Sequence, residues 1–390
     1  MLIDKTQYAE DINNLLVEVR KQLTKREFLD DKNAFIIISK IVLERFEENN
    51  DLECEDLKYI TKKLFYKTRE KLNILKPLMD NKDISEIMIN GKDKIFYEEK
   101  GNFYKYELDF DSDEELEEVM HVIAGSVNRE INELNPIVDA RLPDGSRVNG
   151  VYKNVAVNGP TLTIRKFLEN YISMEQLISS GTINRTGAQL LKKYVESGAN
   201  IFISGGTSSG KTTLINALSE YIPRNERVIV IEDSAELKLG KIENLVQLEC
   251  RNSNSTGKGE VSLSALIKNS LRMRPDRIII GEVRGEEVFH MLQAMNTGHS
   301  GMSTGHANSI EGMLKRLETM YLMAVSIDIN AIRRQIADAL DVMIHIEKKG
   351  CERSIVEISE ILGYEDGEYV IKRIMTKNAE NDLEFLGGEC

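Results

Sequence analysis

The spacing of apolar positions changes character twice along this chain. In residues 1–76 apolar side chains recur at helical spacing, Leu15, Leu16, Val19 and Leu23, then Ile37, Ile38, Ile41 and Val42. The segment is dense in Glu, Lys, Asp and Leu and has no Gly or Pro, which predicts a helical extension with a solvated charged face. From Ile84 the period drops to two. ISEIMIN, KIFYEE and NFYKYELDF read as short strands broken at Asn90-Gly91 and Lys100-Gly101-Asn102. An acidic helix is expected over Ser112–Glu130, capped by Ser112 or Asp113. RVNGVY and TLTIRKF follow as two further strands. Past Gly198 the β-branched runs NIFIS, RVIVIE and DRIIIG alternate with helical patterns, which implies a parallel sheet with crossovers. From Asp341, VMIHIE, SIVEISEIL and YVIKRIM read as added strands. The expected organisation is a helical extension 1–76, a small mixed α/β domain 77–168, a polar linker 169–184 and an α/β domain 185–390.

Composition narrows the classes. The chain has 390 residues and a formal net charge of −13, which argues against a protein whose main work is coating nucleic acid or an anionic membrane. Four scattered cysteines, Cys54, Cys250, Cys351 and Cys390, have no C-x-x-C spacing and suggest neither a zinc site nor a disulfide framework. No run approaches 18 apolar residues, and the start MLIDKTQYAEDINN has no apolar core. A soluble intracellular protein is expected, touching a membrane only through a partner.

The sharpest chemistry is GGTSSGKT at residues 205–212, between a strand and a helix of good formers. Gly205, Gly206 and Gly210 allow the turns that aim successive N–H groups inward, and Thr207, Ser208, Ser209 and Thr213 complete the cradle. Lys211 would reach the β- and γ-phosphates of ATP, and the Thr212 hydroxyl would ligate Mg²⁺. Ligands of open α/β sheets sit at the carboxyl ends of strands, and two further strands end in acid there. One runs into Glu232-Asp233 with Glu236 close behind, and the other into Gly281-Glu282. Glu282 is expected to orient the attacking water, with Glu232, Asp233 and Glu236 holding Mg²⁺ or polarising the site. Asp276 lies at the wrong end of its strand and is expected to cap or turn. Two of the five histidines, His299 and His306, fall in TGHSGMSTGHANS, which reads as a loop. They are expected, with Arg284, to sense the γ-phosphate and not to bind zinc. Arg141, Arg147 and Arg165 lie in the first α/β domain, and arginine suits bidentate phosphate contact.

These residues resemble the secretion ATPases of the type II/type IV secretion superfamily, most closely the Flp/Tad pilus assembly (CpaF-type) ATPases. The resemblance spans roughly residues 80–350 and is carried by ISEIMING, NPIVDARLPDGSRVNG, LTIRKF, ISGGTSSGKTTLINALS, VIVIEDSAELKL, NSLRMRPDRIIIGEVRGEE and LQAMNTGHSG with STGHANS. Arg251 and Gly257–Leu263 add to it. It implies a RecA-like motor preceded by a PAS-like α/β domain, six subunits in a ring, and ATP held between the domains. It also implies catalysis by Glu282, an acidic box at Glu232–Glu236, and phosphate contacts from Arg147 and Arg165. Ser208 stands where that family usually has Gly. The expected function is a cytoplasmic ring ATPase, peripheral to the inner membrane, that powers pilus assembly or protein export through an inner-membrane platform. Rival readings are a conjugative or effector type IV secretion ATPase, a nucleic-acid motor, and a nucleotide-binding scaffold that does not hydrolyse. The charge and the lack of a basic aromatic stripe count against nucleic acid.

Overall fold

The computed structural model describes residues 9–24, 29–47, 53–166, 172–251, 259–350, 352–378 and 383–386. Cys351, Cys390, Gly257 and the start of the expected linker, residues 169–171, lie outside them. The chain divides into two compact units, Met1–Glu169 and Asn170–Cys390.

The first unit opens with helices α1 (Ala9–Thr24), α2 (Asp31–Phe46) and α3 (Cys54–Arg69), as the apolar spacing predicts. They close a core of their own around Leu15, Val19, Ile38, Val42, Ile60 and Leu64. A 3₁₀ turn (Asn73–Leu75) and α4 (Lys76–Asp80) lead into β1 (Ile84–Asn90), β2 (Ile95–Glu99), β3 (Asn102–Lys105), α5 (Asp113–Ser126), β4 (Ile137–Arg141), β5 (Arg147–Val151) and β6 (Thr161–Arg165). The six strands form one antiparallel sheet in the order β3-β2-β1-β6-β5-β4. Ser112 caps α5 by accepting from the Glu115 N–H. The extension is bound to this sheet domain by buried charge. Lys63, 3% exposed, pairs with Asp109 at 3.0 Å, Lys67 with Glu115 at 2.8 Å, and the Tyr59 hydroxyl donates to Asp109 at 2.6 Å. A buried ammonium left unpaired would be strongly destabilising, so these contacts fix how α3 sits on the domain.

The second unit begins with α6 (Met174–Ser179) and α7 (Arg185–Glu196). The polar stretch expected to be a linker is therefore partly helical. Ser173 and Gln176 form a capping box, and Met174, Leu177 and Ile183 enter the core of this unit. There follow β7 (Ile201–Gly205), α8 (Lys211–Ser219), β8 (Val228–Glu232), β9 (Leu245–Glu249), α9 (Leu263–Ser270), β10 (Arg277–Ile280), α10 (Glu287–Asn296) and β11 (Ser300–His306). Then come α11 (Ile310–Ala324), α12 (Ile329–Ala339), β12 (Val342–Lys349), β13 (Glu352–Glu365), β14 (Glu368–Lys377) and β15 (Leu383–Phe385). The sheet order is β15-β14-β13-β12-β7-β11-β10-β8-β9. Strands β12, β7, β11, β10, β8 and β9 run parallel, and β13, β14 and β15 extend the sheet antiparallel. The parallel strands β7, β8 and β10 are buried along their whole length between two apolar layers, which is why they read as continuous Ile/Val runs.

One expectation fails here. The histidine segment is not a loop from Ser300 to His306 but a central strand, β11, between β7 and β10. Its glycines hid it. A Cβ on Gly305 would lie 2.8 Å from Met313 Cε, so the strand is glycine-rich because helices press closely on it.

Candidate active site

Register brings the predicted groups to one edge. His306 pairs with Gly205 across β11–β7, Ile346 with Gly205 across β12–β7, and Ile280 with Ile231 across β10–β8. The phosphate loop, His306, Glu282 and Glu232 therefore all lie at the carboxyl ends of parallel strands.

The loop leaves β7 at Gly205, where a side chain would collide with the Ile346 carbonyl, and enters α8 through Gly210 at φ 102°. Gly206, Thr207 and Ser208 are exposed, Thr212 and Thr213 half-buried. Ser209 Oγ is buried without a hydrogen-bond partner among the described residues. Lys211 is 7% exposed and donates to the carbonyls of Gly205 (3.1 Å) and Gly206 (2.8 Å). Burial lowers its pKa, the negative charge of Glu282 works against that, and Arg284 adds to it. No carboxylate lies within ion-pair distance of this ammonium among the described residues. A loop with an orphaned hydroxyl and a desolvated cation lacking an anion fits a phosphate group.

Lys211 also lies 3.2 Å from His306 Nδ1. An ammonium only donates, so Nδ1 is the acceptor and the ring proton sits on Nε2, which is 2.8 Å from Glu282 Oε1. Burial first, then Lys211, lowers the His306 pKa, which keeps the ring neutral. Glu282 Oε2 accepts from Arg284 at 3.1 Å. The turn carrying Glu282 is fastened to β11, because Val283 N–H donates to the Thr304 carbonyl and Thr304 Oγ1 to the Gly281 carbonyl. The expected groups Lys211, His306, Glu282 and Arg284 thus form one line of contacts.

Two expectations need correction. His299 precedes β11 at its other end, seven residues and roughly 23 Å of strand from His306, where its Nδ1 lies 3.2 Å from the Ala294 carbonyl. A strand separates two histidines that a loop would have let converge, so His299 is no phosphate sensor. Glu232, 4% exposed, turns its carboxylate onto its own loop, accepting from the N–H groups of Glu236 (2.9 Å) and Leu237 (3.1 Å). Burial raises its pKa to about 7 against those two hydrogen bonds. In this arrangement it holds the acidic loop. That loop returns to α8, where Lys238 N–H donates to Asn216 Oδ1 at 2.8 Å, one turn beyond Thr212. Asp233 is exposed, and its charge helps burial push the Cys250 thiol up to about 12. Among the described residues no three His, Cys, Asp or Glu side chains form a metal site by themselves. Thr212, Asp233 and Glu236 remain the groups that would hold Mg²⁺ arriving with a nucleotide, where it would neutralise phosphate charge. Asp276 has the turn role expected, accepting from the Arg227 N–H at 2.7 Å.

In the first unit Arg147 and Arg165 are cross-strand partners, and Arg141 pairs with Arg147. Directly opposed residues share a face, so three arginines stand in one row across β4, β5 and β6. Arg353, on β13, was missed altogether. It donates from Nε to the Ser208 carbonyl at 3.0 Å, and nothing local in the sequence ties residues 145 apart.

A P-loop at the edge of a mixed sheet, with a fastened glutamate and histidine beside it, defines a nucleotide-site protein of the RecA-like motor class. The model of the family described as "Type II/IV secretion system protein" matches residues 68–380, and the chain belongs to that family. The chain is 32% identical to the conjugal transfer protein TrbB of Rhizobium radiobacter over 75% of this chain and 88% of that one. It is 41% identical, over 61% of its length, to an uncharacterised protein of Methanocaldococcus jannaschii, of which it spans about a third (34%). The crystal structure of the ATPase DotB from Yersinia pseudotuberculosis shares the fold with TM-score 0.55 and 18% identity, over 76% of this chain and 79% of that one.

Proposed function

We propose that this chain hydrolyses ATP in a homo-oligomeric, hexameric ring that drives pilus assembly or protein export through an inner-membrane platform from the cytoplasmic face. The observation that carries it is the buried Lys211 ammonium, held over the phosphate loop by carbonyls and a neutral histidine, with no carboxylate within ion-pair distance among the described residues. A β/γ-phosphate supplies an anion there. When Lys211 turns to it, His306 Nδ1 loses its donor, while His306 Nε2 and Arg284 keep Glu282 placed to orient a water molecule for in-line attack. His306 thereby reports an occupied site through β11. Arg147 and Arg165 are proposed to stabilise the transferring phosphoryl group, a role that suits a row of like charges.

Among family members we favour Flp/Tad pilus assembly, on the motifs that resemble that branch. The match to TrbB, over 88% of that protein, supports conjugative type IV secretion as a second reading. No helix among the described residues is long and apolar enough to cross a membrane, so the proposed force on the platform comes from domain motion. Phosphate release from ATP by the full chain, with and without DNA, tests the proposal. Turnover independent of DNA is expected. No turnover at all would leave a scaffold, and strong stimulation by DNA would make it a nucleic-acid motor.

A further inference from the structure

Within the phosphate loop, Ser208 is the residue that bears a Cβ yet adopts a left-handed backbone, φ +56°. Glycine enters that region freely, and a side chain disfavours it. The same residue is gripped from outside the loop. Arg353 lies on β13 opposite Lys348 of β12, the neighbour of β7 on the side away from β11 and β10. From there its Nε donates to the Ser208 carbonyl at 3.0 Å, and its Cδ lies 3.3 Å from where a Cβ on Gly210 would stand.

A trans peptide is planar, and its C=O and N–H point opposite ways. With the Ser208 carbonyl drawn outward to Arg353, the N–H of Ser209 is turned toward the inside of the loop, where converging N–H groups make an anion site. The other orientation of this peptide, reached by rotating ψ of Ser208 and φ of Ser209, would aim a carbonyl at the phosphate. We propose that Arg353 is a positioning residue that pins the Ser208–Ser209 peptide in the phosphate-binding orientation. The inference rests on the phosphate-loop reading above. It gives the β13 strand a part in nucleotide affinity while leaving Glu282 and His306 to the chemistry.

Only the pinned fraction of molecules binds, so loss of the pin lowers affinity in proportion to that fraction. Arg353→Ala is expected to weaken ATP and ADP by similar factors, about five- to tenfold, raising KM with kcat within about twofold of the parent. In a Ser208→Gly background, where the missing Cβ lets the loop backbone rotate more freely, the same substitution is expected to cost more than it does in the parent. Binding of a fluorescent ATP analogue and of ADP to the four full-length chains reads both effects. An equal loss in both backgrounds would mean that Arg353 acts on the nucleotide by contact or charge, and no loss in either would mean that the contact is idle. Each overturns the pin. Failure of the parent chain to bind nucleotide would instead remove the phosphate-loop reading, and the pin with it.

Discussion

Lys211, His306, Glu282 and Arg284 form a line in which cation, neutral ring, anion and cation alternate, whereas Arg141, Arg147 and Arg165 stand abreast with one sign of charge. The first arrangement is internally compensated. Each group has a partner near 3 Å before any ligand arrives, so a phosphate acts by exchanging one partner for another. The second arrangement places arginines opposite one another on adjacent strands, with Arg141 Nε donating to the Gly145 carbonyl at 3.3 Å. An anion laid on that row would meet charge of one sign. The contrast teaches that motor-site substitutions should change how the site works, while substitutions in the arginine row should change what the ligand experiences and leave the fold alone.

The largest expected effect falls on the compensated line. Lys211→Ala should abolish phosphate release and weaken ATP by at least about 10²-fold, since a buried cation at the β/γ-phosphates is lost. Equilibrium binding beside a turnover assay checks this, and unchanged turnover would remove the phosphate-loop assignment. Next comes the row. Arg165→Ala should lower turnover by at least roughly 10²-fold with a much smaller loss of ATP affinity. Its melting temperature should match or slightly exceed the parent's, because a like charge has gone. A variant with normal turnover would show that the first unit takes no part in the chemistry.

The two ends of β11 sharpen the contrast further. His306→Ala should cost roughly 10- to 10²-fold in kcat by loosening Glu282, while His299→Ala should stay within about twofold, a difference steady-state kinetics resolves. The smallest effect concerns Glu232. Its pKa in the folded chain is about 7, above its ordinary 4.5, so the folded state binds the extra proton between those values. The stability this group contributes is complete below about pH 4.5 and is lost as pH rises through 7, on the order of 3 kcal/mol. Glu232→Gln keeps an oxygen for the Glu236 and Leu237 N–H groups and should flatten that part of the pH profile in denaturant titrations without nucleotide. An unaltered profile would place the titration elsewhere.

What could be read from the sequence was what is encoded locally. The glycine spacing of the phosphate loop, the Ile/Val runs of β7, β8 and β10, and the acids at the ends of β8 and β10 each carry their signal within a dozen residues. Strand β11 escaped because Gly301 and Gly305 fit the pressure of Met295 and Met313, which a one-dimensional pattern does not record. That same error placed His299 beside His306. Helix α6 did carry a signal, since Ser173 and Gln176 have capping-box spacing, but the polar composition outweighed it. Glu232 misled because an acid at a strand end has the same pattern whether it faces a ligand or its own backbone. The Arg353 contact exists only through the pairing of β12 with β7 and β13, so no local rule would have found it.

The central claim, that Glu282 serves hydrolysis and Lys211 serves binding, meets its most direct test in Glu282→Gln. ATP affinity and phosphate release should be measured on one preparation of the full-length variant. ATP binding within about threefold of the parent, with turnover reduced by roughly 10²–10³-fold, is the result predicted for a residue that orients water. Turnover close to the parent's, or a loss confined to ATP affinity, would contradict it.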